Sequence, residues 1–131
     1  MKSTSFGILV AAVALVGACN PFAPDQSVLL GVTKLEAPAT IAVGTPLSVV
    51  LTVTTGGCKT FDRIEVERAV AAASLTPWGT DGAKGRTNIM CPANIVDTPH
   101  SIRLDPPFQS PFMILVPREG LDPLTATVQI Q

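Results

Sequence analysis

The sequence predicts an all-β domain over residues 28–131, a sandwich of about seven short antiparallel strands. Two observations carry this reading. Apolar and polar residues alternate with a period of two through most of the region, as they do in strands with one buried and one wet face. Clusters of glycine and proline then interrupt the alternation at Gly44-Thr45-Pro46, Gly56-Gly57, Gly79 to Gly85, Pro106-Pro107 and Pro117 to Pro123. Those residues set turn conformations, and their spacing is that of a sandwich or barrel.

The elements follow in order. An early strand is expected from Val28 to Leu35, ending before Ala37-Pro38. Leu47, Val49, Leu51 and Val53 then alternate with Ser48, Val50, Thr52 and Thr54, a half-buried strand that Gly56-Gly57 stops. Arg63 to Leu75 is ambiguous, because its alanines, glutamates and arginines form helices well and Val66, Ala69, Val70 and Ala73 would share a helical face. A strand over 61–68, a turn and a strand over 73–78 is preferred, since Ile64 and Val66 oppose Arg63, Glu65 and Glu67 across a pleat. Later strands centre on Ile102 and Leu104, on Phe112, Ile114 and Val116, and on Leu124, Ala126, Val128 and Ile130. Prolines inside such strands are costly unless they fall at edges.

The first residues have another character. Lys2 precedes an apolar run from Phe6 to Ala18, thirteen residues long, short of the ~20 a membrane-spanning helix needs. A positive start, an apolar stretch and small residues at its end describe an export leader. The run closes Leu15-Val16-Gly17-Ala18-Cys19. This resembles the lipobox of bacterial lipoproteins, with an aliphatic residue three before the cysteine and small residues between. The resemblance implies cleavage before Cys19, lipid on its thiol, acylation of the new amino terminus and attachment to a membrane. Several acyl chains hold firmly where one holds marginally, since each buried methylene contributes ~0.8 kcal/mol. It further implies a cell-envelope location. Asn20, standing where aspartate would favour inner-membrane retention, points to the outer membrane if the cell is Gram-negative. The chain therefore divides into a leader (1–18), a lipidated tether (19–27) that Pro21 and Pro24 stiffen, and the β-domain (28–131).

With Cys19 assigned to lipid, Cys58 and Cys91 remain. An exported domain meets an oxidising compartment, where such a pair forms a disulfide. A closed loop of 33 residues contributes roughly 3–4 kcal/mol in the chain-entropy model. Strand number and a single bridge together resemble an immunoglobulin-like sandwich. The match is architectural: Trp78 lies 20 residues after Cys58, position 89 is isoleucine, and the chain has no tyrosine. The bridge fits equally well as a staple between a strand end and a long loop.

The chemical inventory is thin. Residues 19–131 carry eight basic and ten acidic side chains with no basic patch, which disfavours nucleic acid. His100 is the one histidine, and with both cysteines bridged it has no thiol to activate. No nucleophile elbow, P-loop or dinucleotide fingerprint occurs. Glu65 and Glu67 share one strand face, as solvated carboxylates commonly do. His100, Met90 and Met113 are ligand types that suit copper but lack ligand spacing, and Asp81 and Asp97 lack a calcium-loop pattern. No catalytic residue, metal ligand or cofactor is assigned.

Binding remains. Trp78 to Arg86 combines an aromatic, two basic residues and three glycines, so Trp78, Lys84 and Arg86 are candidate contact residues. Phe108, between Pro107 and Gln109, is a fourth. Trp78 also suits the core of a domain this poor in aromatics. The expected function is a non-enzymatic, lipid-anchored domain that contacts an envelope protein or serves as a structural accessory. The alternative is an inhibitor or accessory subunit that plugs an envelope enzyme with one loop.

The leader yields a first test. Cys19→Ser is expected to leave an unprocessed precursor without acyl groups, seen by intact mass and by the loss of membrane flotation; normal mature protein in that variant refutes the lipoprotein reading.

Overall fold

The structure, a computed structural model, describes residues 27–131. Cys19, the leader and most of the tether lie outside the described residues. Nine strands account for the fold: β1 (Ser27–Leu29), β2 (Gly31–Glu36), β3 (Thr40–Ile41), β4 (Leu47–Gly56), β5 (Lys59–Arg68), β6 (Ala72–Asp81), β7 (Ile95–Leu104), β8 (Phe112–Arg118) and β9 (Leu121–Ile130). No helix occurs among the described residues. The ambiguous stretch is two strands of a hairpin, β5 and β6, joined over 69–71.

The strands form one curled sheet that stops short of a closed barrel. On one side β4 is central, with β2 and β7 antiparallel on its two edges. On the other side β6 is central, with β5 on one edge and both β1 and β8 on the other. β8 continues to β9, and β9 to β3. The expectation of about seven antiparallel strands is corrected here to nine, with two parallel pairs, β6 with β8 and β3 with β9. The expected strand at 28–35 is two strands because the chain changes sides at Leu30: Val28 pairs Gly79 of β6, while Val32 pairs Val53 of β4.

Alternation places the core. Leu47, Val49, Leu51 and Val53 of β4 are buried, as are Ala73 and Leu75 of β6 and Phe112, Ile114 and Val116 of β8. Leu30, Val32, Leu104 and Val128 complete the cluster. Pro77 lies within central β6, where a missing N–H would ordinarily break a ladder. β8 pairs β6 over 72–74 and β1 over 78–80, so Pro77 faces the break between them. Its carbonyl still accepts the N–H of Leu30 at 2.9 Å.

Cys58 and Cys91 form the expected disulfide, with Cα atoms 5.1 Å apart, inside the normal range. It does not join two core strands. It ties the β4–β5 turn to the long β6–β7 connection, the staple geometry rather than the inter-sheet bridge of an immunoglobulin domain.

One glycine is required by close approach. A Cβ at Gly79 would overlap the Thr60 carbonyl oxygen and lie 2.7 and 2.8 Å from the Leu30 methyls. The contacts at Gly79 are backbone on one side and buried side chain on the other, so neither yields easily. Gly79→Ala is expected to cost roughly 2–3 kcal/mol through overpacking, read from urea unfolding. Gly85→Ala, with open space around it but a φ of +72°, should cost about 1 kcal/mol; equal costs would refute the close-packing account.

Candidate interaction surface

The β6–β7 connection, residues 82–94, is fixed at its base. Asp81 Oδ1 accepts the N–H of Ala83 at 2.9 Å, an Asx-type turn, and the Asp81 carbonyl accepts that of Lys84 at 3.2 Å. Gly82 donates to the Cys58 carbonyl at 2.9 Å, and Gly57 to that of Asn94 at 3.1 Å. Together with the disulfide, these bonds hold both ends of the loop against the β4–β5 turn. Lys84 Nζ donates to the Ser27 carbonyl at 3.1 Å, so the start of β1 belongs to the same end of the molecule.

The four candidate contact residues are not brought together. Lys84 and Arg86 are exposed on the loop. Trp78 is not a loop residue at all: it sits in β6 on the outer face, half-buried, with Leu29 of β1 and Arg63 of β5 at its flanks by register. Its indole N–H is buried without an acceptor among the described residues. Phe108 is also half-buried, edge-on to Phe112 at 4.9 Å between ring centres. The Arg68 guanidinium lies over both rings, 4.6 Å from the centre of Phe108 and 4.8 Å from that of Phe112. Arg68 also donates to the carbonyls of Asp105 at 3.0 Å, Pro107 at 2.8 Å and Ala69. Phe108 therefore anchors the 105–111 loop to the core.

A more open surface lies between β5 and β7. Each pairs along one edge, β5 with β6 and β7 with β4, apart from the single Gly56–Lys59 step at the turn. Register assigns their inward faces: Phe61, Ile64 and Val66 follow Gly79, Pro77 and Leu75, and Thr98, His100 and Ile102 follow Val53, Leu51 and Val49. The two edges meet where Phe61 stacks on His100, ring centres 4.0 Å apart and planes 20° from parallel. Around that contact the inward face is not covered: Phe61 is 36 % exposed, Val66 40 % and Val96 47 %. His100 was a candidate for catalysis or copper from its type alone. Here its ring packs on Phe61, and Nε2 is buried without a partner among the described residues.

The remaining polar groups act locally. Arg63 pairs with Asp62 at 2.6 Å and Glu65 at 3.7 Å on the exposed face, and Asp97 accepts the Thr54 hydroxyl at 2.6 Å. Met90 stands on the 82–94 loop and Met113 at the start of β8, so neither joins His100. Among the described residues no three His, Cys, Asp or Glu side chains gather to hold a metal ion. A cleft of about 450 Å³ lies beside the disulfide between Thr54, Gly56, Lys59, Asn94 and Ile95. Among the described residues no helix is long and apolar enough to cross a membrane.

In comparisons with known proteins, no family model, no curated sequence and no solved structure matches the chain.

The Arg68 clamp can be tested directly. Arg68→Ala is expected to cost about 1–2 kcal/mol by urea unfolding, from lost charge-assisted hydrogen bonds and ring contacts. Arg68→Lys should recover less than half, because an ammonium cannot span three carbonyls and two rings as a planar fork does. Full recovery by lysine would reduce the clamp to simple charge.

Proposed function

We propose that this protein is a lipid-anchored component of a bacterial cell envelope whose β-domain, immunoglobulin-like in the loose sense of two faces closing on one core, works by contact with another envelope protein. The observation that carries the reading is the combination at the cysteines. Cys19 stands where an apolar leader ends, and the other two cysteines are bonded to each other. A structural disulfide suits an exported domain, and the odd cysteine suits acylation.

The contact surface best suited to such a role is the β5–β7 opening. Two strand edges with unpaired backbone groups flank apolar side chains that the fold leaves partly uncovered. An extended segment of a partner could hydrogen-bond to one edge and set alternate side chains against Phe61, Val66 and Val96, the mode in which exposed sheet edges recognise peptides. Non-enzymatic action rests on the residue inventory, in which the lone histidine is stacked on a phenylalanine.

A photo-crosslinking amino acid at Val66 or Val96 is expected to capture the same partner in native envelopes. One at Thr125, exposed on β9, should capture none. Equal capture at all three positions, or capture at Thr125 alone, overturns the β5–β7 assignment.

A further inference from the structure

The 82–94 loop carries a surface that the β5–β7 opening does not explain. Met90, next to the bridged Cys91, is 96 % exposed and Ile89 40 %, and Ile95 just beyond the loop is 78 % exposed. Three large apolar side chains within seven residues face solvent on a segment that the disulfide and two backbone hydrogen bonds tie to the β4–β5 turn. Lys84 and Arg86 stand on the same loop, which contains no acidic residue. The carboxylates nearest in sequence, Asp81 and Asp97, are each engaged in a local hydrogen bond. Exposed apolar side chains beside cations that pair with no carboxylate among the described residues match the requirements of a lipid–water interface: methylenes enter the acyl boundary while cations meet anionic headgroups.

Position selects that occupant over others. The described chain starts at Ser27, whose carbonyl accepts the Lys84 ammonium at 3.1 Å, so the tether joins the domain beside this loop. Seven residues lie between Cys19 and Ser27, and eight fully extended Cα-to-Cα steps reach at most about 30 Å. The opposite end, where β4 begins and β9 finishes, lies a further ~30 Å along ten-residue strands. Resting on the reading that Cys19 is acylated, we infer that the 82–95 segment docks on the anionic lipid surface that holds the anchor. Docking would fix the domain upright, with the loop against the headgroups and the 105–111 loop away from them.

The test uses the full acylated protein, extracted from membranes and reconstituted into vesicles. A brief pulse of a water-soluble oxidant converts exposed methionines to sulfoxides, which mass spectrometry counts. Met113, at the start of β8 and 48 % exposed, is the reference within the same molecule. On phosphatidylethanolamine–phosphatidylglycerol vesicles the Met90-to-Met113 oxidation ratio is expected to fall about tenfold below its value on phosphatidylcholine alone. High salt, or Lys84→Glu with Arg86→Glu, should restore it. A ratio indifferent to phosphatidylglycerol and to charge reversal overturns the docking proposal. So does protection that occurs in native envelopes but not on pure lipid, which would assign the loop to a protein. A chain that carries no acyl group and does not float with vesicles overturns the anchored reading, and this inference with it; an acylated chain with unprotected Met90 overturns the docking alone.

Discussion

Both edges of β4 are taken, and the rest of the molecule is arranged around that. Four aliphatic side chains on one face, Leu47, Val49, Leu51 and Val53, are fully buried, and β2 and β7 pair along the strand's two sides. β5 leaves β4 through a tight Gly56-Gly57 turn, the usual start of a hairpin, yet only Gly56 and Lys59 pair. No edge of β4 remains for it. β5 must cross to the other side and pair with β6, and the chain returns to β4 only after the 82–94 loop, as β7. The sheet therefore curls without closing, and the β5–β7 opening follows from strand order.

The same turn concentrates several demands at one end. Gly56 and Gly57 both have positive φ, and a Cβ at Gly56 would collide with the backbone of Asn94 and Ile95. The β6–β7 connection thus runs directly against the turn, close enough for Cys58 and Cys91 to bond. A loop of this length would ordinarily be free to sample many conformations. Bonded near its end and hydrogen-bonded at its base, it can present Met90 and Ile95 to solvent without collapsing onto the sheet.

Much of this was legible in the sequence, and the failures have physical reasons. Strands with a clean alternation, such as 47–54 and 112–116, and the strand–turn–strand reading of 61–78 appear as expected. The early strand divides because the chain changes pairing partner at Leu30, which stays buried; periodicity records burial, not partnership. β7 begins six residues before the stretch the pattern marked, because Val96, Thr98 and His100 face the uncovered side and β7 lacks the hydrophobic contrast of a buried strand. β3 is two residues long and pairs in parallel, which no local pattern encodes. Of the contact candidates, Lys84 and Arg86 are on the exposed loop as expected. The glycines after Trp78 set it at the junction of a strand over 73–78 and a loop, but Gly79 is glycine for close packing rather than for a turn, and β6 runs on to Asp81. Phe108 stands in a proline-rich stretch that suits a displayed side chain and a crossover between sheets equally. Its partner Arg68 is distant in sequence, and only the tertiary fold brings the guanidinium over the ring.

The open edges of β5 and β7 invite indiscriminate pairing, and they carry features that suppress it. β5 has a register shift at Asp62 and charges at Arg63, Glu65 and Glu67 on its outward face. β7 carries Pro99, which removes one donor from an edge strand, and Asp97. Those devices oppose long, regular strand addition by a second copy. They leave the inward-facing Phe61, Val66 and Val96 uncovered, and those are the groups a closed barrel would have buried. A surface built only to avoid aggregation would have replaced them with polar side chains at little cost, since each is already more than a third exposed. Keeping them apolar while interrupting the edges around them is the arrangement expected where one short segment is to be admitted and continuous strands refused.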